Sequence, residues 1–84
     1  MKAIFVGHLK KLLGKEEISI QDHPTTISEL LHYLNKLKVD NDVTIKRENT
    51  LLFVNGVEVS ALDGLRTKLN EQDIVTLVPV THGG

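Results

Sequence analysis

The stretch Thr26-Ile-Ser-Glu-Leu-Leu-His-Tyr-Leu-Asn-Lys-Leu37 decides the architecture. Thr26-Ile-Ser-Glu29 has the form of a capping box, in which the Thr hydroxyl and the Glu carboxylate each satisfy a backbone N–H left free at a helix start. Ile27, Leu30, Leu31, Leu34 and Leu37 then recur at spacings of three and four, one apolar stripe along an amphipathic helix ending near Lys36 or Lys38. Tyr33 falls beside the stripe, and Glu29, Asn35, Lys36 and Lys38 are expected to face water. A single helix of this length covers only one face of a sheet, so strands on either side of it in sequence imply an α+β domain.

Those strands are legible. Lys2-Ala-Ile-Phe-Val-Gly7 is apolar at nearly every position and reads as a central strand. Leu9, Leu12 and Leu13 change the period to that of a short helical turn, which Gly14 is placed to end. Glu17-Ile-Ser-Ile-Gln21 alternates and should return beside the first strand, Ile18 and Ile20 inward. Pro24 punctuates. Beyond the helix, residues 39–50 are polar and aperiodic, a loop or weak edge. Leu51-Leu-Phe-Val54, Asn55-Gly56 and Val57-Glu-Val59 form a hairpin signal around the pair favoured in tight type I′ turns. Asp63-Gly64 is a second turn, with Leu62, Leu65 and Leu69 expected to close the core from an irregular connection. Asp73-Ile-Val-Thr-Leu-Val78 is the last strand, and Pro79 stands at its usable end because it has no N–H to donate. The sum is a mixed four- or five-stranded sheet packed by one main helix, the opening hairpin antiparallel and the last strand placed to run parallel to the first.

Composition narrows the function. The 84 residues fit one domain. There is no Cys, which excludes a disulfide framework, a thiolate nucleophile and any zinc site built on sulfur. Ten Lys and Arg against 11 Asp and Glu, interspersed, give a net charge of −1, so direct nucleic-acid binding is not expected. No apolar run approaches a membrane span and no signal segment opens the sequence, so a cytoplasmic protein without membrane partners is expected.

Enzymatic motifs are missing. No Gly-rich phosphate loop follows a strand. His8, His23, His32 and His82 never fall three or four apart, Glu16 and Glu17 point to opposite sides of a strand, and neither Ser28 nor Ser60 has a base nearby in sequence. What stands out is Val80-Thr-His-Gly-Gly84 after the last strand. Glycines have no Cβ, so such a segment can thread a narrow channel toward another protein's catalytic centre. The reactive group is then the Gly84 carboxylate. Ionised at neutral pH, it is a poor electrophile until converted to a mixed anhydride, and ATP is the usual source. With no nucleotide site here, an enzyme in trans must supply it.

At these residues the sequence resembles the molybdopterin-synthase small subunit. The resemblance runs through Lys2-Ala-Ile-Phe-Val-Gly-His-Leu-Lys-Lys-Leu-Leu-Gly-Lys-Glu-Glu-Ile18, the helix start Thr26-Ile-Ser-Glu-Leu-Leu31, the hairpin Leu52-Phe-Val-Asn-Gly56, and then Leu69, Asp73-Ile-Val75, Pro79 and Gly83-Gly84. This small subunit is one of the ubiquitin-like, β-grasp sulfur carriers, with the thiamin carrier and the ubiquitin-related modifiers. The resemblance implies a β-grasp domain over residues 1–80 and a flexible tail, 81–84. It also implies a carrier rather than an enzyme, with no cofactor of its own. A ubiquitin-activating-type adenylyltransferase would use ATP on Gly84, a sulfur donor would convert the adenylate to a thiocarboxylate, and the sulfur would pass to a large synthase subunit or another acceptor. Gly83 would give access, and Pro79, Val80, Thr81 and His82 would be gripped by the partner; Phe53 and Leu77 are candidates for an apolar docking surface and equally for the core. Two features differ from many relatives: Gln72 stands where Gly precedes the Asp, and Thr81-His82 precede Gly-Gly. The His82-Gly83-Gly84 ending resembles the ubiquitin-related modifiers, so tRNA thiolation and protein conjugation stand as alternatives. A β-grasp binding module with an inert tail is a third.

Overall fold

In the computed structural model, which describes residues 1–21 and 24–80, the sequence periods convert into seven regular elements joined by turns. In chain order these are β1 (Lys2–Phe5), α1 (Leu9–Leu13), β2 (Glu17–Ser19), α2 (Ile27–Leu37), β3 (Thr50–Val54), β4 (Val57–Glu58) and β5 (Ile74–Pro79), with 3₁₀ turns at Arg47–Asn49, Val59–Ala61 and Gly64–Arg66. The strands form one five-stranded sheet in the order β2-β1-β5-β3-β4. β1 pairs antiparallel with β2 and parallel with β5, and β3 pairs antiparallel with both β4 and β5. The expected parallel closure of first strand on last is therefore present. The tail assigned to residues 81–84 lies outside the described residues.

Strand alternation puts Ala3, Phe5, Leu52, Val54, Val75 and Leu77 on one face of the sheet, all buried. The stripe of α2 supplies Ile27, Leu30, Leu31 and Leu34 to the same core, and α1 adds Leu9, Leu12 and Leu13. Burying each such side chain contributes about 1.5–3 kcal/mol, enough collectively to offset chain entropy in a domain of this size. Leu37, at the end of the stripe, is exposed. Gly14 ends α1 in the left-handed conformation at φ 75°, as its position in the sequence implies.

Capping of α2 holds with one difference. The Thr26 hydroxyl accepts the Glu29 N–H at 3.2 Å, while the Glu29 carboxylate takes both the N–H and the hydroxyl of Thr25. The same helix start is pinned from the other side: the Ile27 N–H donates to the Thr67 carbonyl and the Leu69 N–H to that of Thr25. Thr67 and Leu69 are buried accordingly. Leu62 and Leu65, expected to close the core, are instead exposed at 47% and 38%. The 3₁₀ turns that carry them run across the surface, and Leu69 alone of the three turns inward.

Two asparagines hold more than their local turns. Asn55 occupies the hairpin at φ 51° beside Gly56 at 86°, the pair of positive angles that a type I′ turn requires. Its side chain also donates to the Asp73 carboxylate and accepts the Ile74 N–H, each at 2.9 Å, which ties the hairpin to the start of β5. Asp73, buried, accepts the Asn70 N–H as well. Gln72 fits where relatives carry Gly because it needs no positive φ. Asn35, expected in water, points its amide into the 39–50 segment, donating to the Leu31 and Ile45 carbonyls and accepting the Ile45 N–H, all at 2.8 Å. Ile45 is thereby drawn to 2% exposure inside a stretch that looks polar throughout.

Asn55→Gly keeps the backbone angle and removes the two side-chain bonds, so an expected loss of about 1–3 kcal/mol in urea denaturation isolates them. Asn55→Ala adds roughly 1 kcal/mol for the left-handed angle. A Gly variant as stable as the parent would show the Asn55–Asp73 tie to be dispensable.

Candidate functional site

β5 is the last strand in sequence and the central one in space, so residues after Pro79 leave from the middle of the sheet. The pairing explains how a proline sits there. Asn55 donates to the Ile74 carbonyl and Val80 to that of Asn49, each along the β3 ladder. Antiparallel pairs alternate, so residues 75, 77 and 79 direct their amides toward β1. β1 has ended at Phe5, and a last bond runs from the Val6 N–H to the Leu77 carbonyl. Pro79 therefore lacks a donor only where no acceptor strand remains. Gly7 lies against it, since a Cβ built on Gly7 would come within 3.1 Å of the Pro79 ring. Val80, half-buried, is held by its 2.9 Å bond to Asn49.

The sheet face turned away from α2 adjoins this exit. Directly opposed residues share a face, so Glu17, Ile4, Thr76, Phe53 and Glu58 form a row across all five strands. Leu51 and Val78 form the next row toward the exit, with Val6 beside them. Ile4, Phe53 and Val78 are half-buried, while Val6 and Leu51 are 39% and 41% exposed. A carboxylate stands at each end of the apolar row. Glu17 pairs with Lys2 at 3.0 Å. The Ser60 hydroxyl and N–H bound to Glu58, with Arg47 nearby, hold its carboxyl below the usual carboxylate range and keep it anionic.

Of the residues expected to dock a partner, Phe53 is on this outer face, and Pro79 and Val80 are at its edge. Leu77 is not. It is fully buried, one residue out of phase with Thr76 and Val78, and belongs to the core. Thr81, His82, Gly83 and Gly84 lie outside the described residues. His8 and His32 are exposed, and no group of three metal-ligating side chains occurs among the described residues. A hollow of about 540 Å³ lies at the other end of β5 around Met1, Gln21, Glu71 and Asp73, while the one at the exit measures about 70 Å³. Among the described residues no helix is long and apolar enough to cross a membrane. Asn35 and Asn49, both tied into this corner, carry no signal in hydrophobic periodicity; a lone Asn immediately before a strand is the only hint.

The chain matches the model of the ThiS family over residues 3–84. It belongs to the ThiS family. The ThiS match spans both the sheet and the Gly-Gly segment. A protein of Archaeoglobus fulgidus assigned as a sulfur carrier is 28% identical over 78 residues, covering 86% of this chain and 89% of that one. Among solved structures, the small archaeal modifier protein 1 of Methanosarcina acetivorans superposes with a TM-score of 0.78 at 22% identity, covering 99% of this chain and 94% of the other. Urm1 of Trypanosoma brucei gives 0.77 at 21% identity, covering 99% and 93%. The fold is thus the ubiquitin-like β-grasp.

The two faces of the sheet differ in what substitution does. Leu77→Ala is expected to cost about 2–5 kcal/mol by removing core atoms and leaving a cavity. Leu51→Ser, on the open face, should stay within about 0.5 kcal/mol. Chemical denaturation checks both, and equal losses would contradict this assignment of faces.

Proposed function

We propose that the Gly84 carboxylate is the working group of this chain and carries sulfur for molybdopterin biosynthesis. The observation that supports this most is the exit: the central strand ends at Pro79 in the middle of the sheet, with Val80 beyond it, beside an open apolar face with anionic ends. A partner can dock on that face and receive the Gly-Gly segment in its own active site. Family membership and the sulfur-carrier relative agree with this reading.

The chemistry follows from the carboxylate. A ubiquitin-activating-type partner directs it onto the α-phosphorus of ATP, pyrophosphate leaves, and an acyl-adenylate forms. Hydrosulfide, or its equivalent from a sulfur donor, then adds to the acyl carbon. The C–O bond to phosphate breaks, AMP departs with that oxygen, and a thiocarboxylate remains. In the complex with a large synthase subunit the sulfur passes to the pterin precursor, and hydrolysis of the acyl carbon restores the carboxylate. This chain contributes the acyl group, the thin Gly83-Gly84 segment that admits it and the docking face; the nucleotide and the catalytic groups belong to the partners.

The His82-Gly83-Gly84 ending supports a second reading, conjugation to lysine amines from the same adenylate. Immunoblots under thiol-reducing conditions separate the two, because conjugates persist as a ladder whereas a thiocarboxylated chain runs as one band.

Intact-mass analysis after incubation with the activating enzyme, ATP and sulfide should show one oxygen replaced by sulfur, and deletion of Gly84 should abolish the product. An unmodified mass with an enzyme active on its own carrier would overturn the proposal. Leu51→Asp with Phe53→Asp should raise KM for activation by at least about tenfold at little change in kcat, since the lost contacts serve binding rather than the reacting carbon. An unchanged KM would remove the open face from the docking role.

A further inference from the structure

We propose that Asn49 is a positioning residue: its side chain locks the turn whose carbonyl holds Val80, and so sets the direction in which the Gly-Gly segment leaves the fold. This rests on the proposed activation of Gly84 and assigns a residue that determines its geometry.

The bonds around Asn49 engage both polar atoms of its side chain. Its side-chain oxygen accepts the Lys46 N–H at 3.0 Å and the Thr50 hydroxyl at 2.8 Å, and its Nδ2 donates to the Thr44 carbonyl at 2.8 Å. The Thr50 side chain is itself buried. With the amide used on both sides, the Arg47–Asn49 turn has little freedom to rotate, and the Asn49 carbonyl stays aimed at the Val80 N–H. Val80 is the last of the described residues, and the sheet holds it through this bond. Pro79 cannot donate and β1 has already ended, so beyond Leu77 no bond from β1 helps to orient the strand.

The turn is anchored to the domain as a whole. Asn35 on α2 holds both the N–H and the carbonyl of Ile45, next to the Thr44 that Asn49 binds. Helix, buried Ile45, turn and Val80 thus form a continuous strut of side-chain-to-backbone bonds. The arrangement is more than a solution to loop closure. One Asn side chain satisfies three groups in a stretch of seven residues while its own carbonyl is left for the departing chain. Extended chain advances roughly 3.3 Å per residue, so Gly84 can be about 13 Å from Val80. The reacting carbon is joined to the fold through that root, and misplacement by even about one ångström can cost about 100-fold in rate.

Two measurements on the full chain test this, with Asn49→Ala and with Asn49→Asp, which keeps the acceptor oxygen but not the donor to Thr44. Amide hydrogen exchange should show Val80 losing protection by at least about tenfold in Asn49→Ala, while Val75 and Leu77 in the strand interior keep theirs. With the activating enzyme, kcat for adenylation should fall by about tenfold or more while KM stays within about twofold, because the docking face is untouched. Protection of Val80 unchanged in both variants overturns the proposal, and so does an unchanged kcat. If Asn49→Ala fails to fold, Asn49→Asp decides on the same two readouts. Should the parent chain itself never be adenylated, the proposed function fails, yet the exchange of Val80 still decides whether Asn49 governs the root of the segment.

Discussion

Everything in this molecule depends on the parallel pairing of β1 with β5. Those strands are separated by nearly the whole sequence, and a parallel pair needs a crossover, which here carries α2 over one face of the sheet. β1 and β3 do not touch each other; each meets β5. The buried residues of the three strands, Ala3 and Phe5, Leu52 and Val54, Val75 and Leu77, come into one layer only through that central strand, and α2 has a floor to pack on only when they do. The ties at both ends of β5 protect the same pairing. Asn55 and Asp73 fix its start, and the Val80 bond to Asn49 fixes its finish.

The period of two then divides labour between adjacent residues. Thr76 and Val78 face outward and Leu77 inward, so neighbours in sequence belong to different functions, one to contact and one to cohesion. Phe53 and Leu52 split the same way on the facing strand. The outer row through Ile4, Thr76 and Phe53 ends in a carboxylate on each side, and Lys2 pairs with one of them, charges of the kind that guard an exposed sheet against edge pairing.

How much of this could be read in advance follows from the kind of interaction involved. The start of α2, the end of α1 at Gly14 and the Asn-Gly hairpin are consequences of local period or turn chemistry, and each is present; the parallel closure, expected from the order of elements, is present too. Leu77 could not be assigned to a face without a register, because a run such as Ile-Val-Thr-Leu-Val is apolar on both sides. Leu62 and Leu65 look like core residues but follow irregular backbone, where hydrophobicity carries no phase. Ile45 was hidden for the opposite reason: it is one of three scattered apolar residues, with Val39 and Val43, in a mostly polar stretch, and its backbone is taken up by Asn35 on α2. Side-chain-to-backbone bonds across long separations leave no periodic trace, so the corner that steers the end of the domain is the part least visible in the residues that build it. Of the candidate site, Pro79 and Val80 lie at the end of β5 and Phe53 on the outer face, and the polar supports behind them do not announce themselves.

The order of strands has a further consequence for how the protein comes into being. A growing chain that has not yet reached Ile74 contains two separate hairpins, β1 with β2 and β3 with β4, and no ladder joins them. Isolated hairpins of this size are marginal in water. Cohesion arrives only when translation has passed residue 79, so possession of the native surface certifies that the whole of β5 has been made. A truncated product cannot masquerade as a finished one: without its middle strand it has no surface to offer, and cellular proteolysis meets it as unfolded chain.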